Sequence, residues 1–508
     1  MNKFMTAMKN DSNYGYTENG AVKHLTTGSK VYDLFALGGA YRSRSDIDIL
    51  TLFSDAYNEN EELAMKCLFY LRDAREGQGE RRFFRVCMRW LANGTRIEAA
   101  RRNLKYVAEY GRWDDLYTFE GTVLEKEMFA FLKEQLTLDV QCKTPSLLAK
   151  WLKSENTSSA ESCRLGRKTR EAFGMTAKQY RKTLSILRER INVLERLMSA
   201  GKWDEIEFDK IPSKAGFIYR NAFARHDIER MKSEKEVQSY ADFAKDTTTT
   251  VNAKVLYPYE CVNEGLKVWR KPADNTERLM VNKYWDNLAD YINNATFDGI
   301  AVVDTSGSMM GSRADAPINV ALSLGMYCAT KAKGPYANHF FSFNDRPEFL
   351  EIHGFDFVDK LRNIVEDADW GGSTNVEAVF DKILQIAREN HLSQSDIPSS
   401  VIVISDMEFN ACVSSNSYRG SWYGGGSLNK DTLFESMAKK WATYGYKLPR
   451  LYFWNVEARS NNIAMKDDGN VTYISGCSPV IYEQIMSGKT SFDLMLDKLL
   501  SDRYAAIH

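Results

Sequence analysis

No cysteine framework is present in this sequence: its eight cysteines, at positions 67, 87, 142, 163, 261, 328, 412 and 477, are scattered and include no C-x-x-C pair. That spacing argues against a disulfide scaffold and against structural zinc, and it fits reduced thiols in a cytoplasmic protein. The first ten residues, MNKFMTAMKN, lack the apolar core of a signal peptide, and a run of about 18 apolar residues occurs nowhere. Neither export by that route nor a membrane span is expected. Net charge is almost missing too, at −1, so any charged surface must come from uneven distribution along the chain. Nucleotide signatures are lacking: there is no Walker sequence and no dinucleotide fingerprint, and Gly77-Gln78-Gly79 reads as a turn between helices with no strand before it. The one His-Asp step, His226-Asp227, has no serine or cysteine motif beside it and reads as structural. What the 508 residues do have is 44% hydrophobic and 12% aromatic content, enough for large cores. The length suggests about three domains or fewer.

The most informative stretch is Phe297 to Met310, FDGIAVVDTSGSMM. Ile300 to Val303 reads as a buried parallel strand. It ends in Asp304, Ser306 and Ser308, a carboxylate and two hydroxyls at alternate positions, with Gly307 allowing a sharp turn. In an open α/β sheet ligands collect beyond the carboxyl ends of the strands, so this loop offers three oxygen donors where a ligand can reach them. Thr374, in the glycine-turned run WGGSTN, adds a fourth before a helix over Val376 to Glu389. A second buried run, Val401 to Ile404, leads to Asp406. Oxygen-only donors favour Mg²⁺ or Mn²⁺ over zinc. Asp-x-Ser-x-Ser, a later Gly-Gly-x-Thr and a strand-end Asp, in this order, resemble the metal-ion-dependent adhesion site (MIDAS) of the von Willebrand factor A domain. The resemblance implies that Asp304, Ser306, Ser308, Thr374 and Asp406 hold the cation and that a partner's carboxylate completes its coordination.

Around that site the strand-helix alternation is that of a doubly wound parallel sheet. Helices are expected over Ile318 to Ala332, Thr432 to Tyr444 and Val480 to Leu500, and strands over His339 to Phe343, Leu451 to Asn455 and Val471 to Ile474. The loop after Asp406 carries the run SSNSYRGSWYGGG, whose Tyr418, Arg419, Trp422 and Tyr423 are candidate partner contacts.

The first half of the chain reads differently. Residues 1–44 are polar and weakly periodic, an irregular N-terminal arm that orders only by packing on something else. From Ser45 to about residue 294 the pattern is helical, with short polar breaks that suggest stacked antiparallel helix pairs. Thr176 to Gln179 has capping-box form, and the helix it opens carries Tyr180, Leu184, Leu187, Ile191, Leu194 and Leu197 on one stripe. Lys178, Arg181, Lys182, Arg188 and Arg190 lie off that stripe. Residues 143–232 hold 20 basic against 11 acidic side chains, a local excess of +9. Such a segment is either a solvated face or a phosphate-backbone footprint, and of its interleaved aromatics, among them Trp151, Tyr180 and Tyr219, most are expected in the core while exposed ones could stack on unpaired bases.

The runs GRWDDL (111–116), LAKWLKSENT (148–157), YRKTLSILR (180–188), IPSKA (211–215) and AFARHD (222–227) resemble the helical half of Ro/TROVE-type proteins. The likeness is to their divergent branch of unknown function, which is also paired with an A domain. It implies a HEAT-like helical domain, ring-like in that family, over residues 45–294, followed by an A domain over 295–508. It also implies binding of small structured or misfolded RNA on the basic helical surface. The expected protein is thus a multidomain α plus α/β ribonucleoprotein scaffold that docks a partner through a divalent cation. A metal-dependent adaptor without RNA is the alternative. A nuclease is disfavoured, because the hydroxyl donors supply no general base and Glu408, two residues past Asp406, reads equally as a base or as a supporting or surface carboxylate. The chain is therefore read as no enzyme.

Overall fold

Short apolar runs flanked by glycine and polar residues become strands here, and the longer amphipathic runs become helices. The computed structural model describes residues 13–19, 21–233, 235–293, 296–410, 432–460, 463 and 470–508. Its contacts divide the chain into two units, and the division departs from the expected boundaries near residues 44 and 295. One unit comprises the described residues of Met1–Cys67, Leu256–Ala273 and Leu288–Ser501; the other comprises those of Leu68–Val255, Asp274–Asn287 and Asp502–His508.

In the first unit, β1 (Tyr14–Tyr16) and β2 (Val22–His24) form an antiparallel hairpin. The main sheet contains β3 (Gly299–Asp304), β4 (His339–Phe343), β5 (Pro347–Glu351), β6 (Ser400–Ser405), β7 (Arg450–Asn455) and β8 (Val471–Ser475). Their order is β5-β4-β3-β6-β7-β8, parallel throughout except for the antiparallel edge strand β5. β3 and β6 are buried along nearly their whole length, as strands covered on both faces must be. Helix Pro317–Lys331 packs so closely on β3 that a Cβ on Gly325 would stand 2.4 Å from Val303 Cγ2. The strand order reverses at β3 and β6, so the crevice beyond their carboxyl ends is the topological switch point.

The described residues of the expected irregular arm instead pack as part of this unit. Helix Lys30–Leu37 starts at Ser29, whose hydroxyl accepts from the Tyr32 amide. Beyond it, the Gly39 amide donates to Ser475 Oγ at 3.0 Å, and a Cβ on Gly39 would meet the Ser475 carbonyl at 2.6 Å. Arg42 Nη2 donates to the Val456 carbonyl (2.7 Å), and the Ala458 amide donates to the Ala40 carbonyl (3.0 Å).

The second unit is helical. Its charged centre is Asp115, wholly buried, which accepts from Arg72 Nε and Nη2 (2.9 and 2.7 Å), Arg85 Nε (2.7 Å) and the Arg112 amide (2.9 Å). The capping box at Thr176 forms as expected, but the helix ends at Arg190. Asn192 adopts φ 47°, a left-handed turn that asparagine tolerates, before a short helix Leu194–Ser199. Helix Thr276–Asp286 starts at Asn275, whose side chain accepts from the Glu277 and Arg278 amides. No helix among the described residues is long and apolar enough to cross a membrane.

Candidate functional site

β3 delivers Asp304 to the switch point and β6 delivers Asp406 beside it. The Ser306 amide donates to Asp304 Oδ1 (2.9 Å) and the Ser405 hydroxyl to Oδ2 (2.5 Å), which fixes the carboxylate plane. The Gly307 amide reaches the Gly372 carbonyl (3.1 Å), and the Gly371 amide reaches the Thr305 carbonyl (2.9 Å). These bonds draw the WGGST loop against the DTSGS loop, with Gly371 and Gly372 at φ 95° and 76°, where side chains are strained. The result is a hydroxyl cluster: Ser306 Oγ lies 3.1 Å from Ser308 Oγ and 3.1 Å from Thr374 Oγ1. Asp304, Ser306, Thr374 and Asp406 are buried and Ser308 is half-buried. All five residues expected at the site therefore converge.

Electrostatics there call for a positive charge. Burial, with the neighbouring charge of Asp406, raises the Asp304 pKa to about 7, and burial raises that of Asp406 although Arg459 opposes it. Asp406 Oδ2 has no hydrogen-bond partner; it lies 3.2 Å from Arg459 Nε in an ion pair. Two buried carboxylates and three hydroxyls, with one Asp406 oxygen held by an ion pair and by no hydrogen bond, fit a hard divalent cation. No group of three or more His, Cys, Asp or Glu that could hold a metal occurs among the described residues, which leaves a mixed carboxylate-hydroxyl set as the candidate.

Glu408 is not free to act as a base. Its Oε2 accepts from the Glu18 amide (2.7 Å) and its Oε1 from the Ser460 hydroxyl (2.6 Å). Arg459 and residues 17–19 also reach the site; sequence spacing gave no signal for either, because they lie far from its ligands in the chain. Tyr418, Arg419, Trp422 and Tyr423 lie outside the described residues.

In the helical unit, His226 stacks flat on Trp203 (4.1 Å, 6°) and bonds Glu229 (2.9 Å), while Asp227 accepts from the Tyr240 amide (2.6 Å). This is a structural arrangement in which the two side chains serve different partners. Of the basic set, Lys178, Arg181, Lys182 and Arg190 are exposed. Arg188 is a correction to the expected set: its guanidinium donates to Ala149 O, Leu152 O and Ser154 Oγ at 2.8 to 3.0 Å, so it holds the preceding loop. Burial accordingly lowers its pKa.

The cationic feature that the structure does form is a groove of about 760 Å³ lined by Arg112, Lys150, Arg181, Arg188, Arg196 and Lys214, against the acids Glu155 and Glu195. Trp151 lies in its wall with Arg112 over the ring at 4.0 Å. Lys150, whose ammonium lies 5.7 Å from the Trp151 ring centre, and Arg181 form no ion pair with a described residue. Lys178, Lys182 and Arg190 are not part of the lining.

A helical unit and a doubly wound sheet with a candidate cation site at its switch point define a two-unit α plus α/β protein. The chain belongs to the family described as Domain of unknown function (DUF2828), whose model matches residues 17–143 and 135–296. Residues 298–501 match a second model, Domain of unknown function (DUF7788). The chain is similar to the "Uncharacterized protein L728" of Acanthamoeba polyphaga mimivirus, with 30% identity over 94% of this chain and 85% of that protein. Among solved structures, it is similar to the crystal structure of the Deinococcus radiodurans RO (RSR) protein at 14% identity and TM-score 0.46, over 91% of this chain and all of that one.

Proposed function

We propose that the protein is a non-catalytic RNA-binding scaffold of Ro/TROVE type, with the RNA held along the groove beside Trp151. The observation that carries this reading is the groove beside Trp151, where Lys150 and Arg181 line the wall without an ion pair to a described residue, while Arg112 pairs with Asp114, Arg196 with Glu189, and Arg188 holds backbone carbonyls. Phosphates would pair with those two cations, and a base would stack on the face of Trp151 that Arg112 leaves open. The likeness of residues 111–116, 148–157, 180–188 and 211–215 to the Ro helical half supports it as well, since residues from all four runs line this groove. The test is fluorescence anisotropy with a labelled single-stranded RNA and a small hairpin, using the full chain. Lys150→Glu with Arg181→Glu should weaken binding at least tenfold and flatten the salt dependence, each lost phosphate contact reducing the slope by about 0.7 for a single strand. Unchanged affinity at low salt refutes the reading.

The sheet unit, on the same proposal, binds Mg²⁺ or Mn²⁺ through Asp304, Ser306, Ser308, Thr374 and Asp406 and docks a partner's exposed carboxylate. A bound cation supplies Lewis-acid character; the side chains hold it and offer no base, which speaks against a nuclease. A metal-dependent adaptor without RNA is the second reading, favoured by the complete set of oxygen donors in the sheet unit. Loss of partner capture with chelator and with Asp304→Ala, in a chain that binds no RNA, would select it.

A further inference from the structure

The mouth of the cation site is not open. One guanidinium, that of Arg459, reaches three groups around it: Asp406 Oδ2 at 3.2 Å, the Ser308 carbonyl, and Glu18 Oε2 at 3.2 Å. A single positive charge thus joins a buried carboxylate of the site to an exposed carboxylate from elsewhere in the chain. That is the connection a divalent cation makes when it docks a partner's carboxylate. The segment carrying Glu18 is tied down on both sides. The Thr17 hydroxyl donates to the Phe409 carbonyl (2.6 Å), the Glu18 amide to Glu408 Oε2 (2.7 Å), and Asn19 Nδ2 to Thr374 Oγ1, a candidate ligand, at 3.3 Å. Glu408 is buried and holds the far side through Ser460, the neighbour of Arg459.

We propose that this mouth is an internal docking surface whose occupant is the chain's own segment 17–19 together with Arg459, and that a cation and an outside carboxylate bind only by displacing them. The proposal rests on the cation-site reading. Its physical basis is that a guanidinium and a divalent cation cannot share Asp406, since like charges a few ångströms apart repel strongly in a dry site. Loading therefore requires Arg459 to leave Asp406. An outside carboxylate then competes with Glu18, the internal one. Apparent cation affinity is lowered by the fraction of molecules in which Arg459 has swung away.

The test is Mn²⁺ binding to the full chain, followed by electron paramagnetic resonance of the free ion. Arg459→Gln removes the competing charge and should tighten binding about tenfold, whereas Arg459→Lys, which keeps the charge, should stay close to the parent. Equal Mn²⁺ affinity in parent and Arg459→Gln overturns the proposal while leaving the cation site standing. Absence of Mn²⁺ binding in both overturns the proposal and the site together. If Arg459→Gln does not fold, hydrogen exchange of the parent decides: saturating Mn²⁺ should speed exchange of the Glu18 amide, and unchanged protection overturns the proposal.

Discussion

Replacing Asp304 by asparagine should stabilise the protein in chelator and, on the cation-site proposal, remove the stabilisation expected from Mg²⁺. Asp304 is wholly buried, and its carboxyl pKa rises from the ordinary 3.8 to about 7. Because the folded pKa lies above the unfolded one, its contribution is fully present below pH 3.8 and is lost as pH rises through about 7. The rise from 3.8 to about 7, at roughly 1.4 kcal/mol per tenfold change, amounts to about 4 kcal/mol of stability lost above neutrality without a cation. Asparagine keeps an oxygen for the Ser306 amide and carries no charge, and the Ser405 hydroxyl can rotate to accept from it. At roughly 2 °C per kcal/mol for a unit this large, Asp304→Asn should melt about 8 °C above the parent at pH 8 in EDTA. At pH 4 the difference should nearly vanish. Differential scanning fluorimetry with EDTA or Mg²⁺ at both pH values reads this directly. A variant that melts below the parent at pH 8 in EDTA would show that the buried carboxylate carries no such penalty.

Three further outcomes follow from contacts away from the site. Asp115→Ala strands Arg72, 2% exposed, without its carboxylate and should cost about 3–5 kcal/mol in urea denaturation; a loss below about 1 kcal/mol contradicts the hub. Gly325→Ala places a Cβ 2.4 Å from Val303 Cγ2 and should cost about 1–3 kcal/mol by forcing the helix off β3, seen as a lowered melting temperature. Arg188→Ala should lower stability, since three oxygens lose their donor, whereas Arg181→Ala should leave stability unchanged and weaken RNA; measuring both quantities for both variants separates a structural cation from a ligand-facing one.

The parallel sheet was legible because strands buried on both faces are continuous apolar runs, and Ile300 to Val303 and Val401 to Ile404 stand out against polar flanks. The five oxygen donors were legible because each sits at a strand end or glycine turn. β5 was missed since it is an edge strand with Leu350 as its one buried residue, which leaves no alternation to read. Helix Phe357–Asp367 was overlooked although Phe357, Val358, Leu361 and Ile364 share one face. Arg188 illustrates the limit of charge counting: its carbonyl partners at Ala149 and Leu152 lie nearly forty residues back, and composition says nothing about which cations are already engaged. The same limit hid residues 17–19, whose polarity suits a solvated arm equally well as a segment hydrogen-bonded to Glu408 and Phe409.

Interleaving of the two units leads to the last prediction. Residues 502–508 group with the helical unit, although most of that unit precedes residue 256. Arg503 Nε and the Tyr504 hydroxyl lie 2.9 and 3.1 Å from Asp73 Oδ2, and Asp73 is wholly buried. Tyr504 is itself fully buried and stacks on Tyr110 at a centroid distance of 5.6 Å. Deleting 502–508 would strand a buried carboxylate, at about 3–5 kcal/mol, and empty an aromatic site worth a similar amount. Even if half of the sum is recovered by relaxation, the loss is comparable to the whole stability of an ordinary domain. A chain ending at Ser501 should therefore lose the cooperative unfolding of its helical unit, and Asp73→Asn should restore part of it by removing the stranded charge. An unchanged urea midpoint in the shortened chain would mean that these residues lie on the unit without holding it.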